Sequence, residues 1–173
     1  MMWRTHLVCG ISALWILTPL SADLWALDYA AMAIGAALGA LLPDLDAADS
    51  KIKHLRIGQF KPFWLPAHVA YHSGGHRGLL HSLSGMGMMA LLCVPLVFWI
   101  DWPIVLALLL GYASHLAADA CTRSGIPVLY PEPKLYHLLP RSWRFVTGSQ
   151  AEEVLFVSAA VQVIFWLLGQ LRV

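Results

Sequence analysis

The chain has 173 residues, 59% of them hydrophobic and only 12% charged, with a net charge of +1. That length suits one domain over 1–173, and so little charge, against about 25% in ordinary soluble domains, favours a polytopic membrane protein. The near-neutral balance gives nucleic-acid binding no electrostatic support. Cys9, Cys93 and Cys121 lie far apart without a CxxC pattern and read as packing residues or free thiols.

Crossing a bilayer takes roughly 17 to 25 mostly apolar residues, since each rises about 1.5 Å through a core about 30 Å thick. Five stretches qualify or nearly qualify: 6–22, 24–42, 80–100, 102–118 and 154–171. The first follows Arg4 and resembles a signal peptide, but Asp23 and Trp25 spoil a cleavage site near Ser21-Ala22, so an uncleaved helix is preferred. The second carries Asp28 near its start. The first and fourth are short, with Pro19 and Pro103 near their outer ends. The segment 43–79, with Pro62, Pro66 and a Gly74-Gly75 pair, reads as irregular. The segment after the fourth stretch holds Pro127, Pro131, Pro133 and Pro140 and reads as extended pieces and turns. Ser149 and Glu152 form an S-x-x-E capping signal before the fifth stretch.

Charge orients the stretches. Arg4 precedes the first. Lys51, Lys53, Arg56, Lys61 and Arg77 lie between the second and third, and Arg123, Lys134, Arg141 and Arg144 between the fourth and fifth; only Arg172 falls on the other side. The positive-inside tendency places the N-terminus and both long loops in the cytoplasm. Trp25, Trp99 and Trp102 then fall near the outer boundary, and Trp3 and Trp143 near the inner one. The expectation is an all-α, multi-pass bundle of about five transmembrane helices in the inner membrane, with two long cytoplasmic loops.

Metal-binding residue types gather at the cytoplasmic ends of these stretches. His6 opens the first, Asp44 and Asp46 close the second in LLPDLD, His76 and His81 open the third in HRGLLHS, and His115 and Asp119 close the fourth in SHLAAD. Two neighbouring carboxylates suit a divalent cation, although they also serve as helix caps. The spacing of five between His76 and His81 puts them on different faces, so His76 belongs to the turn before the helix. His115 and Asp119 share a face one turn apart, where the carboxylate either ligates or orients the imidazole. Alone, this pair could equally be a local hydrogen bond tying the helix end. The convergence of four helix ends argues for a metal centre at the membrane surface. His54, His68, His72 and His137 read as surface histidines in loops, although the i, i+4 pair His68 and His72 could add ligands in a helix.

LLPDLD, HRGLLHS, GYASHLAADACTRSGIPVLYP and the N-terminal TH resemble the YdjM-like family of membrane-bound metal-dependent hydrolases over nearly the whole chain. The resemblance implies several membrane helices and a metal-dependent hydrolase. The family's motif positions correspond to His6, Asp44, Asp46, His76, Arg77, His81, Ser82, His115 and Asp119, followed by Gly148, Ser149 and Glu152. More remotely, W-x-T-H and the later H-x-x-x-D look like the zinc-dependent phospholipase C and P1 nuclease group. That group's later H-x-x-x-E helix is absent, so a one- or two-metal site is expected rather than a trinuclear one.

The expected ligands are therefore His6, Asp44, Asp46, His76, His81, His115 and Asp119. Asp44 and Asp46 are expected to bridge metals or act as base, Arg77 to hold an anionic group, and Glu152 to approach as a base. The donor mix suits zinc, with manganese second. The expected activity is hydrolysis of a phosphoester in a membrane lipid or lipid-linked substrate by a metal-activated water. The alternative is a non-catalytic protein that binds or transports a divalent cation. Ligand types on one face only speak against transport.

Overall fold

The computed structural model describes residues 1–17, 29–47 and 78–170, together with Arg56, Gly58, Gln59, Lys61 and His68. Among the described residues, five α-helices run in the order α1 (Trp3–Ser12), α2 (Tyr29–Leu41), α3 (Leu83–Cys93), α4 (Trp102–Ala120) and α5 (Gln150–Gln170). No strand occurs among the described residues. An all-helical fold thus agrees with the hydropathy pattern.

Prolines and caps set the helix limits. The ladder of α2 ends just before Pro43, which has no N–H to extend it, and the chain tightens into a 3-10 turn at Pro43–Asp46. Pro95 does the same to α3, whose continuation Val94–Phe98 is 3-10. The Ser82 hydroxyl caps α3 by accepting from the Gly85 N–H at 3.1 Å. Before α5, Ser149 Oγ accepts from the Glu152 N–H at 3.4 Å, as the S-x-x-E spacing predicts. The Glu152 carboxylate reaches one residue further back than a capping box requires, to the N–H of Gly148 at 2.7 Å. Gly148 has a φ of 77°, which favours glycine.

Small residues bring the central helices together. α2 packs along α4, and a Cβ added at Gly39 would lie 1.9 Å from the Leu108 carbonyl oxygen. One added at Gly111 would lie 2.0 Å from that of Ala36. Close backbone approach across small residues is the way helices pack in lipid, where apolar burial alone gives little drive. α1 lies across both and also meets α5. One apolar cluster (Leu14, Met32, Ala36, Ala107 and Trp166) joins the 3-10 turn Ala13–Leu17 after α1 to α2, α4 and α5. A second, around Tyr112 and Leu116, ties α4 to the 3-10 turn at Leu79–His81 and to Ile126, and the Tyr112 hydroxyl donates to the Leu80 carbonyl. Beyond α4, paired backbone bonds between Ile126 and Tyr136 close a small reversal, and Arg123 N–H to Phe145 O and Phe145 N–H to Cys121 O pin the following segment to the end of α4.

Of the five expected membrane-crossing stretches, helix length supports two among the described residues, α4 and α5 up to Gly169, which are long and apolar enough to cross. α1 and α2 have 10 and 13 residues, or about 15 and 20 Å, against the roughly 30 Å needed, and residues 18–28 of the two expected stretches lie outside the described residues. α3 stops after 11 residues because of Pro95. Composition alone could not separate an apolar run from an uninterrupted apolar helix. Along α5, Val154, Val157, Val161, Ile164, Phe165 and Leu168 are exposed and form an outward apolar ridge. Trp3, Trp99, Trp102 and Trp143 are exposed as well, while Trp25 lies outside the described residues.

Candidate metal centre

The first turn of α1 carries His6, whose ring is buried. It lies face to face on His115 of α4, with centroids 3.7 Å apart and planes inclined by 14°. One turn beyond His115, Asp119 turns its Oδ1 toward His6 Nε2 at 3.3 Å. The close packing of α2 on α4 fixes the tautomer of His115. A carbonyl oxygen can only accept, so the 2.7 Å contact between His115 Nδ1 and the Ala40 carbonyl makes Nδ1 the donor. In the neutral ring, the Nε2 lone pair then faces inward.

Two 3-10 turns complete the cluster. The turn after α2 delivers Asp44, whose Oδ1 lies 3.5 Å from His81 Nε2 and 3.8 Å from His115 Nε2. The turn before α3 delivers His81, whose Nε2 lies 3.3 Å from His115 Nε2 and 3.8 Å from Asp119 Oδ2. Asp46, also buried, sits at the opposite nitrogen of His81, with Oδ2 3.7 Å from Nδ1. It therefore backs the ring, where a carboxylate raises imidazole basicity and holds its orientation. The Met1 ammonium lies 2.7 Å from Asp119 Oδ1.

These side chains form two groups that could hold a metal ion, His6–His115–Asp119 and Asp44–His81–His115. Two donors bonded to one zinc at about 2.0–2.1 Å stand roughly 3.3 Å apart in tetrahedral geometry. The separations of 3.3 Å between His6 and Asp119, 3.3 Å between His81 and His115, and 3.5 Å between His81 and Asp44 match that spacing. His6 Nδ1 is buried without a hydrogen-bond partner among the described residues. His115 belongs to both groups but has only one nitrogen to offer. With Nδ1 bonded to Ala40, His115 could therefore serve an ion in one of the two groups but not in both at once. Three imidazoles and two carboxylates suit a borderline cation such as zinc.

Electrostatics around the two turns are cation-seeking. Burial pushes the Asp44 carboxyl up, but the hydrogen bond with His81 and the nearby imidazoles of His115 and His6 more than offset it and hold it at about 2. Burial pushes His81 down, but the carboxylates of Asp44 and Asp46 at its two nitrogens and the charge of Asp119 raise it to about 9. Without an ion, these carboxylates favour the protonated form of His81.

Of the residues singled out from sequence, His6, Asp44, His81, His115 and Asp119 come together, and Asp46 stands behind His81. His76 and Arg77 lie outside the described residues. Glu152 has a different setting. It is buried, and its two oxygens accept from the backbone N–H groups of Met2 at 2.6 Å and Gly148 at 2.7 Å. It clamps the start of α1 to the start of α5. Sequence reasoning missed the Ala40 carbonyl, since a backbone acceptor has no residue signature. It also missed the packing glycines, although Gly35 and Gly39 stand in a G-x-x-x-G spacing that signals close helix approach.

Comparison with known proteins agrees with the membrane setting. The chain is 32% identical over 128 residues to the protein YvsG of Bacillus subtilis (strain 168), covering 74% of this chain and 72% of that one. It is 37% identical over 101 residues to the inner membrane protein YdjM of Escherichia coli (strain K12), covering 56% of this chain and 47% of that one. The YdjM of Shigella flexneri matches to the same extent. The chain therefore matches about half the length of the YdjM proteins. No solved structure matches. The model of the family described as YdjM inner membrane protein matches residues 1–171, and the chain belongs to that family.

Proposed function

We propose that the protein is a membrane-bound metal-dependent hydrolase acting on a phosphoester of a lipid or lipid-linked molecule at the cytoplasmic face of the inner membrane. The observation that carries this reading is the buried meeting of His6, Asp44, His81, His115 and Asp119 at separations that fit a shared ion. Zinc is the preferred ion and manganese the runner-up. When bound, the ion lowers the pKa of a water and polarises the scissile bond.

The chain's own groups do the rest. The Ala40 carbonyl holds the proton of His115 on Nδ1 and keeps the Nε2 lone pair free for ligation. Asp46 steadies His81 from behind. Asp44 is the most exposed member, with 22% of its side chain open, and takes the proton of the attacking water as general base. Arg77 holds an anionic phosphoester oxygen through its planar fork of donors. Lys and Arg between the second and third and between the fourth and fifth apolar stretches support a cytoplasmic placement of the site. A site among helices that meet lipid makes a lipid the economical substrate. The likeness to the zinc-dependent phospholipase C and P1 nuclease group, resting on W-x-T-H and H-x-x-x-D, points to the same bond type.

The test is to purify the protein in detergent, measure bound metal, and screen phosphoester and lipid substrates against His115→Ala and Asp119→Ala. The expected result is stoichiometric metal and turnover in the wild type, with both lost in the variants. Equal metal content in all three would remove these residues from the ligand set. Metal bound without turnover of any phosphoester would favour a non-catalytic cation-binding or transport role.

A further inference from the structure

A second site lies on the far side of the end of α4, outside the metal cluster. Its apolar part is an open groove of about 380 Å³ whose lining includes Leu83 and Met86 of α3, Leu116 and Ala117 of α4, and Ile126 and Val128 of the following segment. Its polar part is a cavity of about 450 Å³ lined by Arg123, His137, Arg141 and Arg144. His137 lines both, so the two adjoin at its side chain. The ion pairs among the described residues involve none of the three arginines, and no carboxylate lines the cavity. The frame is fixed, because backbone bonds from Arg123 to Phe145 and from Leu138 to Ala120 hold both walls against α4.

An apolar trough ending in three unneutralised guanidinium groups has the chemistry of a receptor for an anionic amphiphile. Guanidinium forks match phosphate oxygens, and the trough takes hydrocarbon. The surroundings say where that amphiphile comes from. Leu129, Leu135, Leu138 and Trp143 are exposed on the same segment, with Trp143 between Arg141 and Arg144. Apolar and aromatic side chains interleaved with arginine at the end of a helix of membrane-crossing length are the signature of the headgroup region. We propose that this site binds one anionic phospholipid of the surrounding bilayer, its phosphate held by Arg123, Arg141 and Arg144 and an acyl chain lying in the groove against Ala117. The site is independent of metal and of hydrolysis.

Native mass spectrometry of the full chain in a mild detergent tests this, with added phosphatidylglycerol, phosphatidylcholine of the same chains, and inorganic phosphate as probes. One phosphatidylglycerol per chain is expected, bound at least fivefold more tightly than phosphatidylcholine. Arg123→Gln with Arg141→Gln is expected to abolish that preference while zinc per chain stays unchanged. Arg141→Gln alone, on an exposed side chain, is expected to give a partial loss and guards against misfolding of the double variant. Ala117→Trp, which fills the groove, is expected to weaken lipid but not phosphate. Equal retention of phosphatidylglycerol by the wild type and the double variant would overturn the proposal. So would equal affinity for the two lipids, or inorganic phosphate competing as well as phosphatidylglycerol. Loss of zinc or turnover without loss of lipid binding would count against the metal reading alone.

Discussion

The ring of His6 lies flat on the ring of His115, 3.7 Å between centroids, so the first turn of α1 and the last turns of α4 share one buried wall of the cluster. The stack leaves His6 Nε2 beside Asp119 at 3.3 Å. Packing and ligation are separable here. His6→Phe keeps an aromatic ring on His115 but removes the donor nitrogen, whereas His6→Ala removes both. Both variants are expected to lose metal affinity by more than about tenfold, the scale on which even outlying partners of a ligand act. Competition with a chromogenic chelator measures this. Wild-type affinity in His6→Phe would make His6 a packing residue only.

The contact between Asp46 and Nδ1 of His81 gives a second prediction. Asp46→Asn keeps the shape of the side chain but removes the charge that makes His81 basic. Metal affinity is expected to fall about 10- to 100-fold, the usual effect of losing a carboxylate behind a ligating imidazole. The same titration reports it. An unchanged affinity would show that Asp46 serves only the turn at Pro43–Asp46.

Acid and base act on the metal-free protein in opposite ways through His81 and Asp44. His81 is raised from 6.5 to about 9, so its contribution to stability is complete below pH 6.5 and disappears as pH climbs through about 9. Asp44 is lowered from 3.8 to about 2, so its contribution is present above 3.8 and disappears as pH falls through about 2. An ion needs His81 neutral. Below about pH 9 its binding therefore expels a proton, and affinity is expected to rise up to about tenfold per pH unit over that range. Calorimetric zinc titrations at pH 7.5 in buffers of different ionisation enthalpy should count about one released proton from this group. No proton release would mean that His81 is neutral before the ion arrives.

Which parts of this were legible in the sequence follows from the range of the forces involved. His115 and Asp119 lie one turn apart on a single helix, so their shared face is a local property that spacing reveals. His81 and Asp44 sit on turns announced by glycine and proline, and the residue types at helix ends suggested their meeting. The helix count was less legible, because hydropathy sums side chains and is blind to the backbone break that Pro95 imposes after Cys93. The setting of Glu152 was hidden for a related reason. A carboxylate three residues beyond Ser149 was read correctly as a cap signal, but its grip on Met2 depends on α1 and α5 meeting in space. The Ala40 carbonyl could be found only once the helices were packed.

The glycine contact between α2 and α4 is expected to be as critical as any ligand. A methyl at Gly111 would meet the Ala36 carbonyl at 2.0 Å and the Ala40 nitrogen at 2.9 Å, all backbone atoms that cannot rotate away. Gly111→Ala must therefore push α2 outward, one turn from where Ala40 holds His115. Overpacking of this kind costs about 1–3 kcal/mol. A lower melting temperature in detergent and weakened zinc binding are expected together. Ala113→Gly, at a half-buried position on the same helix, controls for helix propensity. A Gly111→Ala protein with wild-type melting and zinc content would show that the two helices are not in such close contact.

Glu152 separates a structural role from a catalytic one. Its oxygens are held by the N–H groups of Met2 and Gly148, and Met2 leads directly into the helix that carries His6. Glu152→Ala removes the acceptor of two backbone donors on exposed residues that water can partly satisfy, a loss of about 0.5–1.5 kcal/mol for each bond. Glu152→Gln keeps one acceptor oxygen and replaces the other with a donor, so it retains part of the clamp. The expectation is a clear fall in melting temperature for Glu152→Ala, a smaller one for Glu152→Gln, and metal affinity falling in the same order as α1 loosens. Any turnover should follow bound metal in both variants. If Glu152→Gln binds wild-type metal at wild-type stability and yet loses turnover, Glu152 is the base and Asp44 is not.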